Sequence, residues 1–199
     1  MSLLVESIKV LDGKLLNINM HNERMERSLL DLFGKRGTVL LEKIIEVPQS
    51  ALIGVYKCRV VYDDKNIEIE FIPYIFRKVR SLRIVYDDFI SYSYKYADRS
   101  ELKRLFDLRG ECDDILIIRN GLVTDSSYAN VIMRDKDGKW VTPSSCLLKG
   151  TRRSQLLSDK RVSEADIPVT DLDKYTEIRL INAMIGIDDS ESIPVSELL

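Results

Sequence analysis

Four stretches of the chain carry side chains that could do chemistry. Lys95 closes an alternating run in which Phe89, Ser91, Ser93 and Lys95 share one face and Ile90, Tyr92 and Tyr94 the other. The two serines leave space above that face. An amine in partly desolvated space loses affinity for its proton and becomes a nucleophile for an aldehyde. Thr124-Asp125-Ser126-Ser127-Tyr128-Ala129-Asn130 follows a hairpin signal and offers a carboxylate. Such a carboxylate can pair with a protonated ring nitrogen and keep a pyridine electron-withdrawing. Leu147-Leu148-Lys149-Gly150-Thr151-Arg152-Arg153 puts a glycine at the opening of a helix, where backbone N–H groups can hold a phosphate. His21-Asn22-Glu23-Arg24 sets the planar fork of Arg24 near a helix start, suited to the same anion. Singly, each has a plainer reading: a surface lysine, a polar turn capped by Asp125, an ordinary helix start, a solvated arginine. Their order and spacing carry the weight.

The elements that must position these groups follow from periodicity and turn chemistry. Leu3 to Val10 reads as a strand, Asp12-Gly13 as a hairpin turn and Leu15 to Ile18 as the returning strand. His21 to Phe33 has apolar residues at helical spacing, with Gly34 as its stop, and Val39 to Ile45 reads as a second helix ended by Pro48. Ala51 to Tyr62 and Ile67 to Phe76 form another hairpin, and Ser81 to Tyr86 one more strand. Beyond the alternating run, Arg99 to Leu108 is helical and Asp114 to Arg119 is a buried strand. Asn120-Gly121 is the strongest hairpin turn in the chain. Asn130 to Met133 and Trp140 to Thr142 are strands, Thr151 to Leu157 starts a helix, and Glu177 to Ile187 is a last β-rich run. Strands and hairpins with a few interspersed helices predict an α+β fold in two lobes. The expected boundary gives a small lobe over residues 1–88 and a second over residues 89–199.

Composition narrows the function classes. The 199 residues are 45% hydrophobic and 31% charged, with a net charge of -2. The near-cancelling charge argues against nucleic-acid binding, and the densest basic stretch, Arg77 to Arg83, is short. No apolar run approaches the roughly 18 residues that would span a bilayer. The N-terminus has no signal-peptide pattern, so neither a membrane nor an export route is expected. Cys58, Cys112 and Cys146 form no pairing or metal-ligand pattern, which fits a reduced cytoplasmic setting. With His21 the sole histidine, no metal site is expected.

In this order the motifs resemble the fold-type IV pyridoxal-phosphate enzymes: branched-chain and D-amino-acid aminotransferases and 4-amino-4-deoxychorismate lyases. The resemblance runs from Glu6-Ser7-Ile8 with Asp12-Gly13, through His21 to Arg24, Tyr94 to Arg99 and Thr124 to Asn130. It continues with Thr142-Pro143 and Leu148 to Arg153, and ends in Asn182 to Gly186 with Ile193-Pro194-Val195. It implies a small N-terminal α/β two-layer lobe, supplying the substrate side and dimer contacts. The C-terminal lobe would be β-barrel-like, with helices, and would bind pyridoxal 5′-phosphate. It implies that Lys95 forms the Schiff base and shuttles the proton, and that Arg24 binds the cofactor phosphate. Thr151 and Arg152 would offer backbone amides to that phosphate, and Asn182 a further contact. Asp125 would face the pyridine nitrogen, with Asn130 and Arg99 supporting the site. It further implies a homodimer acting on an amino acid, as an aminotransferase, or on an amino-cyclohexadiene, as the lyase. A cofactor-binding relative without catalysis is a third reading. Three departures stand out: Asp125 where many members have Glu, a short stretch before Lys95, and Ser100 where the family has a tyrosine.

Overall fold

The computed structural model describes residues 3–37 and 39–198. The chain forms two compact units, Met1–Phe76 with Tyr94–Asp98, and Arg77–Ser93 with Arg99–Leu199. The chain therefore first leaves the first unit after Phe76, ahead of residue 88, and returns to it for the segment that holds Lys95. The early exit has a packing cause: Val79 and Leu82 are buried with Leu116 and Ile118 in the second unit's core.

The first unit begins with β1 (Leu4–Leu11) and β2 (Lys14–Leu15), then α1 (Ile18–Phe33), α2 (Leu41–Ile44), β3 (Val55–Tyr62) and β4 (Ile67–Pro73). Its sheet has the order β2-β1-β3-β4, antiparallel throughout. Asp12 and Gly13 take left-handed φ of 47° and 78°, as a two-residue hairpin turn of this hand requires. The returning strand is shorter than expected because Asn17, at φ 58°, turns the chain into α1. That helix buries His21, Arg24, Met25, Ser28 and Leu29, which recur at helical spacing. Met25 and Leu29 pack with Leu4, Ile8, Val10, Cys58 and Val60 of the sheet, giving the two-layer lobe. The second predicted helix shrinks to the single turn of α2.

The second unit contains β5 (Leu82–Tyr86), α3 (Ser100–Phe106), β6 (Asp114–Arg119), β7 (Leu122–Val123), β8 (Asn130–Asp135) and β9 (Trp140–Pro143). It ends with α4 (Thr151–Ser158), β10 (Ser163–Ala165), β11 (Tyr175–Ile181) and β12 (Ile193–Pro194). One sheet runs β10-β9-β8-β11-β12 and the other β5-β6-β7. Leu82, Leu116 and Ile118 from the smaller sheet share one core with Val131, Met133, Ile178 and Leu180 from the larger. The two sheets thus wrap a common interior, and the α+β class stands as expected. Asn120 and Gly121, at φ 52° and 75°, make the predicted turn from β6 to β7.

The alternating run before Lys95 is not a strand. Its burial alternates as predicted, with Ile90 and Tyr92 buried and Phe89 exposed. No ladder forms, because Asp87 Oδ1 accepts the N–H groups of Phe89 and Ile90, both at 2.9 Å, and starts a turn. Pairing returns only as an isolated antiparallel bridge, Tyr96 with Leu4. β2 covers just Val10 and Leu11, so the other end of β1 keeps an open edge. There Val5 N–H donates to the Lys95 carbonyl (2.9 Å) and Ala97 N–H to the Leu3 carbonyl (2.8 Å). The last β-rich run likewise stops early, at Ile181, where Asn182 turns the chain.

Candidate active site

In the first unit, Lys95 is half-buried and its main chain is pinned to β1 by the bonds just described. At β1 lies a buried ion cluster that joins Arg24, expected from the sequence to bind a phosphate, to Glu6 and His21, which had no role assigned. Glu6 shares a sheet face with Leu4, Ile8 and Val10 and is fully buried. Arg24 reaches it from α1, donating Nε to Oε1 at 2.9 Å and Nη2 to Oε2. His21, one helical turn earlier, places Nδ1 2.5 Å from Oε2. Burial pushes the Glu6 carboxyl upward, yet Arg24 and His21 outweigh it and hold it down at about 2. Burial also lowers His21, only partly offset by Glu6, and Arg24 and Lys95 lower it further. The imidazole is therefore neutral near pH 7 and donates Nδ1–H to the carboxylate. A carboxylate in the middle of the apolar strand Leu4-Val5-Glu6-Ser7-Ile8 was the readable signal, since a charge on a core face demands a partner.

In the second unit, Asp125 is buried two residues past β7, where it bridges to Asn130. Its Oδ2 accepts N–H from Leu147 (2.8 Å) and Leu148 (3.0 Å), and its Oδ1 accepts Asn130 Nδ2 (2.8 Å). Burial raises the carboxyl to about 6 despite those bonds. Asn130 Nδ2 also donates to the Leu148 carbonyl at 2.7 Å. Gly150 is the residue before α4, and an added Cβ there would lie 2.1 Å from Asn130 Oδ1. No side chain caps α4, whose first intrahelical bond runs from Ser154 N–H to the Gly150 carbonyl at 2.9 Å. The N–H groups of Thr151 and Arg152 thus stand at an uncapped helix start. Arg99 donates Nη2 to the Ser127 carbonyl at 2.6 Å, which ties down the Asp125 segment. Asn182 Oδ1 accepts the N–H groups of Met184 (2.9 Å) and Ile185 (3.1 Å), so this side chain shapes its own turn.

Comparisons with known proteins bear on the family and the fold. A family model described as amino-transferase class IV matches residues 94–193. A Haemophilus influenzae Rd protein without a functional name is 39% identical over 186 residues, spanning 92% of this chain and 98% of its own. A crystal structure from Haemophilus somnus 129PT, provisionally assigned as a 4-amino-4-deoxychorismate lyase, superposes with a TM-score of 0.88 at 39% identity. That match covers 94% of this chain and 98% of the other. A hypothetical aminotransferase of Mycobacterium tuberculosis in its PLP-bound form gives a TM-score of 0.80 at 15% identity, over 96% of this chain and 80% of the other. At that identity the likeness is one of fold. The chain belongs to the class IV aminotransferase family. It is accordingly a pyridoxal-phosphate enzyme, an aminotransferase or a lyase.

One feature of the second unit fits a phosphate-bearing cofactor, beside a glycine, Gly150, that lets the Asn130 side chain lie against the α4 start. Arg152 Nε is buried with no hydrogen-bond partner among the described residues, although Nη1 of the same group donates to Gln155 Oε1 at 2.8 Å. A buried donor of this kind is costly unless an acceptor comes to it.

Proposed function

We propose that the enzyme works through Lys95 as both the attachment point of pyridoxal 5′-phosphate and the group that moves the substrate proton. The bound cofactor supplies an electron sink for the bond broken at the substrate α-carbon. Lys95 Nζ, once released by the incoming substrate amine, takes the α-proton. Asp125 faces the ring nitrogen, held in place by its bonds from Asn130, Leu147 and Leu148. The N–H groups of Thr151 and Arg152 hold the phosphate, with Asn182 a further contact. Arg24, which donates Nε and Nη2 to Glu6, is the arginine that the family resemblance assigns to the phosphate. The pairing of Lys95 with β1 supports this reading, since a short backbone bridge fixes the lysine stem where a loop would not.

Two outcomes share these residues. The lyase outcome, 4-amino-4-deoxychorismate giving 4-aminobenzoate and pyruvate, is favoured by the Haemophilus somnus relative, which matches across nearly the whole of both chains. In it, the proton taken by Lys95 is followed by loss of the enolpyruvyl group as pyruvate, and no second substrate is needed. The aminotransferase outcome is favoured by the family description itself. There Lys95 would give the proton back, and hydrolysis by water would release a keto acid while the amino group stays behind for a second substrate. Incubating the holoenzyme with aminodeoxychorismate, and separately with a panel of L- and D-amino acids, separates them. The lyase outcome predicts 4-aminobenzoate with every amino acid spectroscopically silent. A spectral half-reaction with an amino acid would replace it with the aminotransferase. No change with either would favour a cofactor-binding relative. The further proposals are a homodimer, checked by ultracentrifugation, and a cytoplasmic location, checked by fractionation.

A further inference from the structure

We infer that Asp125 is also a positioning residue for the phosphate end of the site, acting with Asn130 as a brace that shapes the 147–151 turn. The inference rests on the cofactor reading above and deepens it. A carboxylate facing a ring nitrogen needs one open acceptor position, and Oδ1, with Asn130 Nδ2 as its donor, has a second lone pair for it. Asp125 also places its whole other oxygen against the successive N–H groups of Leu147 and Leu148, at 2.8 and 3.0 Å. Adjacent amides point at one atom only if the chain bends around it, so the carboxylate sets the local course of residues 147–148. Asn130 repeats the hold from the other side. It donates from one amide nitrogen to Asp125 Oδ1 and to the Leu148 carbonyl, at 2.8 and 2.7 Å. Its amide oxygen fills the space a Cβ on residue 150 would occupy. The next two residues supply the amides at the uncapped start of α4.

Ionised, Asp125 is a pure acceptor facing three donors. An amide in its place must set at least one donor against a donor, because it offers only one accepting atom. The groups that bear on the carboxylate electrostatically are Arg153, which stabilises its charge, and Cys146, whose thiol burial pushes up to about 11. Arg153 is itself held by the Pro143 carbonyl, at 2.9 Å, and by Glu164.

The test compares pyridoxal 5′-phosphate with pyridoxal, which lacks the phosphate but keeps the ring nitrogen. Binding of each to the cofactor-stripped full chain is measured by titration, for the wild type and for Asp125→Asn and Gly150→Ala, after circular dichroism has shown that each variant is folded. The wild type is expected to prefer the phosphorylated ligand strongly. Both variants are expected to lose at least ten-fold of that preference while pyridoxal binding falls less. Gly150→Ala touches no group assigned to the ring nitrogen, so its loss of preference is specific to the turn. An Asp125→Asn variant that weakens both ligands by the same factor, or a Gly150→Ala variant that keeps the full preference, overturns the brace. If the wild type binds neither ligand, the cofactor reading itself has failed, which is a different result.

Discussion

Glu6 shows at the level of one residue why the first unit needs its ion cluster. A carboxylate with no exposed surface is tolerable only while Arg24 and His21 both bond to it. Its folded value of about 2 lies below the ordinary 4.5, so its stabilising contribution is full above pH 4.5 and is lost as pH falls toward 2. The shift corresponds to about 3 kcal/mol. Glu6→Gln leaves Arg24 buried without its anion, and a loss of about 3 kcal/mol at pH 7 is expected from denaturant unfolding. In the same variant the stability curve should flatten between pH 4.5 and 2. Lys95→Ala is expected to behave oppositely. The main-chain pairing beside residue 95 survives the substitution, so circular dichroism should show the fold kept while turnover is abolished.

Turns and caps decide the geometry at the scale of elements. Gly34 ends α1 at φ 67° and an added Cβ there would meet nothing within 4 Å. Gly34→Ala therefore isolates backbone strain, with an expected cost of about 1 kcal/mol by thermal unfolding and no change in cofactor binding. Such turn signals were legible in the sequence, as Asp12-Gly13, Gly34 and Asn120-Gly121 all adopt the predicted left-handed conformations. The alternation at Phe89–Tyr92 was legible as a burial pattern but not as pairing. Periodicity reports which side of a segment is wet; whether a neighbouring edge is open depends on residues far away, here the shortness of β2. Gly150 was legible as a helix start, whereas its contact with Asn130 was not, since nothing local links positions 20 residues apart.

Across the whole molecule, buried titratable groups such as His21, Asp125 and Glu6 pull stability in different directions as pH changes. His21 is lowered from 6.5, so its contribution is full above that value and is lost on acidification below it. Asp125 is raised from 3.8 to about 6, so the native state gains relative stability as pH falls through that interval. The two act in opposite directions as pH falls below about 6, and Glu6 adds its own loss below pH 4.5. Thermal melting as a function of pH should show a shallow dependence down to about 4.5 and a steep fall below it. A steep fall already complete by pH 5 would contradict that assignment. The two-unit division has a further consequence for legibility. The sequence showed that Lys95, Asp125 and Gly150-Thr151 occur in the right order, but chain order does not reveal that residues 94–98 rejoin the first unit. The central claim is that one lysine holds the cofactor, and it can be read directly. The protein is loaded with pyridoxal 5′-phosphate, reduced with borohydride, digested and mapped by mass spectrometry. The phosphopyridoxyl mass is expected on Lys95 and absent from the Lys95→Ala variant. Its appearance on another lysine, or on none, would contradict the account.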